Sequence, residues 1–421
     1  MGRTHLSLKE DKFLINNVLT YTEITTSPEH VRGMLMNARF IQGVFDDASG
    51  TERYHRFGEK TFSAVENTKA LIEALPDWYA HGLRAITVGM QGGGPCFTCD
   101  NYEIENNPYC SDGKRIDADY FVRMAMIIEA ADQLGMVVIV SLFYGAQTRF
   151  LEGNEAVAEA VRGVSAWLKD KGYSNVVIEI ANEYDISCFK RHTALSTPEG
   201  IVGLMAIARE ASGGMPVGCS GTGGHFSEAI AQASDVILIH ANGQTRQQFY
   251  NLIQKAKAIY PKRPIVCNED SQAISQLTVA FKEGVSWGYY NNMTKQEPPV
   301  KWMILEGEDT YFAKRMAKGL GIPGEELQKE AQFYLQGLEK DIEDSGRRWI
   351  RLASLEPEKI DYVEFYRNGT YYATAYDDPF TIHYQCTWRQ MPVLDVQKGE
   401  VWEAKIYLLD GQILQKQAVA L

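Results

Sequence analysis

Short runs of β-branched and apolar residues alternate along most of the chain with longer stretches in which apolar positions recur every three or four residues. The short runs predict buried strands and the longer ones amphipathic helices, and their alternation is the pattern of parallel strands joined by crossover helices. Eight strands are predicted: Arg39–Phe45, Ala85–Gly89, Val137–Phe143, Val176–Ala181, Pro216–Cys219, Val236–Ala241, Pro264–Asn268 and Val285–Tyr289. Helical spacing fills Tyr120–Leu134, Glu155–Lys171, Pro198–Ala211 and Gln247–Ala258. Eight such units predict an α/β fold of the (β/α)8 TIM-barrel type, with the helices as an outer ring.

The texture then changes. Met293–Tyr311 is irregular and follows the eighth strand, so it is a candidate wall of a site at the barrel mouth. A helical pattern over Gly324–Glu343 leads to Gly346, beyond which alternating, turn-punctuated runs take over, VEFYRNGTYYATAY and VWEAKIYLLDGQIL. Asn368-Gly369 and Asp410-Gly411 are hairpin signals between them. Residues 1–345 are therefore predicted to form the barrel and 346–421 a small C-terminal antiparallel β-sandwich. Trp388 and Trp402 supply the large aromatics that a sandwich of this size needs for its own core.

Composition narrows the partners. Hydrophobic residues make up 45% of the 421 and charged residues 23%, which suits a packed interior rather than a disordered chain. A net charge of −12 argues against nucleic acid and anionic membrane, both of which recruit clustered Lys and Arg. The opening MGRTHLSLKEDKFL lacks the apolar run of a signal peptide, which predicts a cytoplasmic protein, or a secreted one if a leader has been removed. Cys219 and Cys267 lie in apolar strand-like segments, as free thiols do. Cys96, Cys99 and Cys110 contain a CxxC but no fourth ligand at zinc spacing, so free thiols or one disulfide are expected ahead of a structural zinc site. No cofactor or catalytic metal is expected: Gln91–Pro95 lacks the Lys-Ser/Thr of a phosphate loop, and the His residues show no metal-ligand spacing.

In such a barrel the reacting groups project from the carboxyl ends of the strands. VVIEIANEYD ends the fourth with Asn182 and Glu183, and PIVCNED ends the seventh with Glu269. Strand parity places Glu183 with Ala181 and Glu179, and Glu269 with Cys267 and Ile265, so both carboxylates are expected to face the mouth. A carboxyl pair suits glycoside hydrolysis, in which one group protonates the departing oxygen and the other meets an oxocarbenium-like centre. His240 and Asn242 share an inward face of the sixth strand, and His240 is either an orienting donor or a satisfied core histidine. Trp287, Tyr289 and Trp302 offer apolar faces to a pyranose ring or to the core. Asp46 binds a sugar hydroxyl or caps a helix.

Asn-Glu after the fourth strand and Glu after the seventh resemble glycoside hydrolase clan A, and the chain is similar to its cellulase-type, family 5-related members over about residues 12 to 320. VIEIANE is similar to the strand-four motif, including the earlier inward Glu179, and FLINN, FIQGVFDD and SWGYYNN support the likeness. The resemblance implies a retaining hydrolase of β-linked glycosides, of β-glucan or β-mannan type, working through a covalent glycosyl-enzyme. Glu183 would be its acid/base, Glu269 its nucleophile and Asn182 a partner of the sugar 2-hydroxyl. The alternative is a catalytically silent carbohydrate-binding barrel. Three positions depart from the family pattern. Tyr184 stands where a Pro is usual, Ala241–Gln244 reads ANGQ where an aromatic is expected, and Gln91 stands where the second strand would carry the nucleophile's Arg.

Overall fold

The computed structural model describes residues 2–54, 62–94, 100–339, 347–387, 389–390 and 394–421. Its centre is one sheet of eight parallel strands: Asn37–Arg39, Ala85–Gly89, Val137–Phe143, Val176–Ala181, Val217–Gly218, Ile237–His240, Ile265–Glu269 and Ser286–Tyr289. Each pairs with its sequence neighbour from the first to the fifth and from the sixth to the eighth, and the eighth pairs with the first. The fifth and sixth approach through the Asp235 N–H, which donates to the Val217 carbonyl at 2.8 Å. Gly218 permits that approach, since a Cβ there would meet the Val236 carbonyl oxygen at 2.4 Å.

The first strand departs most from expectation, covering Asn37–Arg39 instead of Arg39–Phe45. Phe40 still donates to the Thr87 carbonyl, but Gly43 and Phe45 then bond back to Phe40 and Gln42, so FIQGVF turns instead of extending. The expected helices are present as Ala118–Leu134, Gly153–Asp170, Pro198–Ser212 and Arg246–Ile259. Thr197 caps the third of these and a Thr245–Gln248 capping box starts the fourth.

A hairpin of Leu6–Lys9 and Lys12–Ile15 closes the amino end of the barrel. Its Leu6 and Phe13 pack against Ala85, Val137, Ile139, Val177, Leu238 and Val266, the lower layer of the barrel interior. That layer sets the parity of the upper one: two residues on from Val177, Leu238 and Val266 come Glu179, His240 and Asn268.

The helix expected over Gly324–Glu343 does not form among the described residues. Lys329–Gln332 is one 3-10 turn, and Phe333–Gln336 is a strand antiparallel to Arg351–Ser354. Phe333 and Leu335 alternate into the apolar cluster of the C-terminal unit, beside Phe365 and Trp402, and that burial overrides helical spacing. The unit's main sheet has four antiparallel strands, in the order Thr370–Ala375, Ile360–Arg367, Val401–Leu408 and Ile413–Val419. Asn368 and Gly369, at φ 50° and 76°, make the expected two-residue turn between Arg367 and Thr370. Trp402 is buried in this cluster, whereas Trp388, Cys96 and Cys99 lie outside the described residues. Among the described residues no helix is long and apolar enough to cross a membrane.

The two units share a buried ion pair. Arg351 of the C-terminal unit meets Glu308, at the start of the barrel helix Glu308–Gly319, with side chains 1% and 3% exposed. Arg351→Met should strand the Glu308 charge and lower the unfolding free energy in urea by about 3–5 kcal/mol, with Arg351→Met/Glu308→Leu recovering much of the loss. Unchanged stability in the single variant would show that the pair does not join the units.

Candidate active site

Glu269 reaches the mouth by a route that alternation alone does not provide. The interior parity of the seventh strand belongs to Val266 and Asn268, while Ile265 and Cys267 pack outward in the cluster shared with the helices. Glu269 would follow them outward. Instead the pairing shifts register, with Cys267 opposite Ile239 but Glu269 opposite His240, so Asn268 is an extra residue. This bulge re-aims Glu269 inward beside Asn268, which corrects the parity argument made from Cys267 and Ile265.

Glu183 is turned by its backbone. It sits at φ 56°, the left-handed region that a residue with a side chain adopts at a cost of roughly 1–3 kcal/mol. Ser220 holds it there: the Ser220 hydroxyl accepts the Glu183 N–H at 3.2 Å and its carbonyl accepts the Tyr184 N–H at 3.1 Å. A proline at 184 could not make the second bond, which accounts for the departure at that position. The same hydroxyl donates to buried Glu179 at 2.7 Å, and Asn268 donates to Glu179 at 2.9 Å.

Four strands bring their last residues to one point. The Arg39 Nε lies 2.8 Å from Glu269 Oε2, and its Nη2 donates to Asn182 Oδ1 at 2.8 Å. Asn242 donates from Nδ2 to Glu269 Oε1 at 2.9 Å. His240 Nδ1 lies 3.2 Å from Glu183 Oε1 and 3.6 Å from Glu269 Oε2. Burial works to lower the His240 pKa, but Glu269 and Glu183 outweigh it and leave it raised. Burial also raises Glu269 above the usual carboxylate range, with Arg39 and His240 pulling it down. One atom each of Glu183, His240 and Glu269 lie within 4.8 Å of one another, a spacing a cation could use. The Arg39 guanidinium already supplies the positive charge at Glu269 and opposes a second one.

Of the residues predicted for a site, Glu183, Glu269, Asn182 and His240 converge. Trp287, Tyr289, Trp302 and Asp46 do not join them. Trp287 and Tyr289 have outward parity and pack on Phe312 of the helix Glu308–Gly319, with ring centroids 5.7 and 4.3 Å away. Trp302 is buried edge-on against Phe40 and donates to Asn67. Asp46 faces Arg123 of the helix Ala118–Leu134 at 3.5 Å. An aromatic that does reach this group is Tyr290, whose ring centroid lies 5.5 Å from the Arg39 guanidinium carbon. Arg39 is the functional residue that strand reasoning missed. Its signal was a lone charge inside MLMNARFIQGVF, since a buried Arg must have a partner.

No family model matches the chain and no curated protein is similar to it in sequence. Among solved structures, a Bacteroides vulgatus protein provisionally assigned as a glycoside hydrolase superposes with a TM-score of 0.51 at 11% identity, covering 99% of this chain and 82% of that one. The chain shares the (β/α)8 fold of that protein. A Parabacteroides merdae β-glucuronidase gives 0.42 at 11% identity, over 99% of this chain, which spans 50% of that longer one. A family 5 xyloglucan-specific endo-β-1,4-glucanase from a metagenomic library, solved with cellotriose, gives 0.46 at 12% identity over 68% of this chain and 96% of that one. At these identities it is the fold that is shared, and activity is argued from the side chains.

Asp270, next to Glu269, bears on stability. Its carboxylate is buried, accepts the Trp287 indole N–H at 2.6 Å, and burial pushes its pKa from 3.8 to about 8. The folded state therefore keeps a proton that the unfolded chain releases, and stability is lost as pH rises from about 4 to about 8. Asp270→Asn should remove that loss, so its advantage over the parent in urea unfolding should grow from pH 5 to pH 8. A constant difference across that range would show that Asp270 is ionised in the fold.

Proposed function

We propose that this protein is a retaining glycoside hydrolase acting on β-linked oligo- or polysaccharides of the β-glucan or β-mannan type. The observation that carries the reading is the carboxylate pair. Oxygens of Glu183 and Glu269 lie within 4.8 Å of each other. Double displacement uses carboxyl groups about 5–5.5 Å apart, whereas single displacement needs about 6.5–9.5 Å to admit a water.

The environments divide the roles. Glu269 is the more enclosed, at 8% side-chain exposure against 19% for Glu183, and it faces the Arg39 cation and the amide donor of Asn242. Those two groups favour the anion that a nucleophile must become, against the burial that raises its pKa. Glu183, more open and facing His240, is placed to protonate a departing oxygen and then to activate water. Asn182 is oriented by Arg39, which leaves its amide nitrogen to meet a sugar hydroxyl. Buried Nε2 of His240 and Oδ1 of Asn242 have no protein partner among the described residues, and sugar hydroxyls would supply one. In this reading the barrel carries the chemistry and the C-terminal unit, whose apolar cluster includes Phe333, is an accessory to it.

A 2-deoxy-2-fluoro β-glycoside with a good leaving group should label the chain once, on Glu269, and Glu269→Gln should neither label nor turn over. Glu183→Gln should lose roughly 10²- to 10⁴-fold on substrates with poor leaving groups and far less on activated aryl glycosides. An inverted first-formed anomer by NMR would replace this mechanism with a single displacement. Arg39→Met should move the acid limb of the kcat/KM pH profile upward, because a carboxylate that loses its cation is harder to ionise. An acid limb that stayed in place would separate Arg39 from the nucleophile.

A further inference from the structure

We propose that Thr387, in the C-terminal unit, is a positioning residue of the active site that acts on Glu269 through Asn242. The inference rests on the reading of Glu269 as nucleophile.

Asn242 lies in the turn that follows the sixth strand, Ile237–His240, and its amide nitrogen donates to Glu269 Oε1 at 2.9 Å. The next residue, Gly243, has φ 80° and donates its N–H to the Thr387 hydroxyl at 2.8 Å, across 144 residues of sequence. That N–H belongs to the peptide joining Asn242 to Gly243. A peptide is planar, so holding its N–H fixes the plane that contains the Asn242 Cα, and with it the root of the side chain on Glu269. Within the barrel, the Gln244 N–H bonds the Ala241 carbonyl at 3.0 Å, and Gln276 donates to the Gln244 carbonyl at 2.8 Å. These pin the far side of the turn. Thr387 pins the near side from the other unit, and it is only 4% exposed. Replacing its hydroxyl by a methyl would take that acceptor from the N–H of half-buried Gly243 and put an apolar group in its place, so the turn has reason to shift.

The titratable and charged groups around Glu269 are Arg39 of the first strand, Glu179 of the fourth, Glu183 after it, His240 of the sixth and the adjoining Asp270. Each is held by contacts that do not involve Thr387: Arg39 by Asn182, Glu179 by Ser220 and Asn268, Glu183 by Ser220, His240 by the sheet, and Asp270 by Trp287 and Ser271. A change confined to Thr387 therefore reaches Glu269 by way of Asn242.

The test uses the full chain with Thr387→Val, Thr387→Ser, Asn242→Ala and the Val/Ala double variant. Losing a charge-assisted donor should cut kcat/KM about 10-fold in Asn242→Ala, mostly in kcat, and Thr387→Val should lose about 3-fold or more. Both should raise the midpoint of the Glu269 carboxyl titration followed by ¹³C NMR, Thr387→Ser should restore parent values, and the double variant should be no worse than Asn242→Ala alone. Amide exchange at Gly243 should quicken in Thr387→Val. Faster exchange at Gly243 with an unmoved Glu269 titration overturns the proposal, as does a double variant whose losses multiply. If the parent hydrolyses no glycoside, the nucleophile reading falls, and the Glu269 titration still decides whether Thr387 acts on that carboxylate.

Discussion

A carboxylate buried beneath the barrel mouth must be compensated, and the pairing of Glu269 with Arg39 does this. Both side chains are almost wholly enclosed, with Nε and Oε2 2.8 Å apart. Removing two charges from water costs several kcal/mol per ion, and their attraction repays it only if the remaining donors and lone pairs are also met. That requirement shapes the neighbourhood but is met in part, since Arg39 Nη1 has no hydrogen-bond partner among the described residues. Asn182 accepts from a second guanidinium nitrogen, Asn242 donates to the other carboxylate oxygen, and His240 stands between Glu269 and Glu183. The ends of the first, fourth, sixth and seventh strands are thus tied to one electrostatic knot.

The barrel was legible because its signal is repetitive. Seven of the eight expected strands and the four named helices need only small changes at their ends, since β-branched runs such as VVIVSLF and capped amphipathic runs after Thr197 and Thr245 leave little choice. What failed has local causes. FIQGVF reads as a strand by composition, yet hydrogen bonds within it turn the chain. FYLQ sits in a helical pattern, yet its partner strand Arg351–Ser354 captures it. Aromatic residues carry no mark of which side of the sheet they take, so Trp287 and Tyr289 were expected against a sugar ring and instead pack on Phe312.

The convergence of Glu183 and Glu269 was legible for a different reason, the position of two carboxylates at strand ends, and the departures from the family pattern acquire physical meaning in the structure. Tyr184 contributes a backbone N–H to Ser220. Asn242, standing where an aromatic was expected, gives Glu269 an amide donor. The supporting Arg comes from the first strand and not from the second, which no count along the second strand could reveal.

The extra residue in the seventh strand has an evolutionary corollary. Where a side chain's direction depends on a one-residue slip in register, a single codon separates two states of the same sheet. Loss of the residue at 268 would restore uninterrupted pairing with the sixth strand and send the following carboxylate into the helix layer. Such a descendant could keep its barrel while losing its chemistry. The glutamate itself would still be there, and an alignment that tolerates gaps would score it as present.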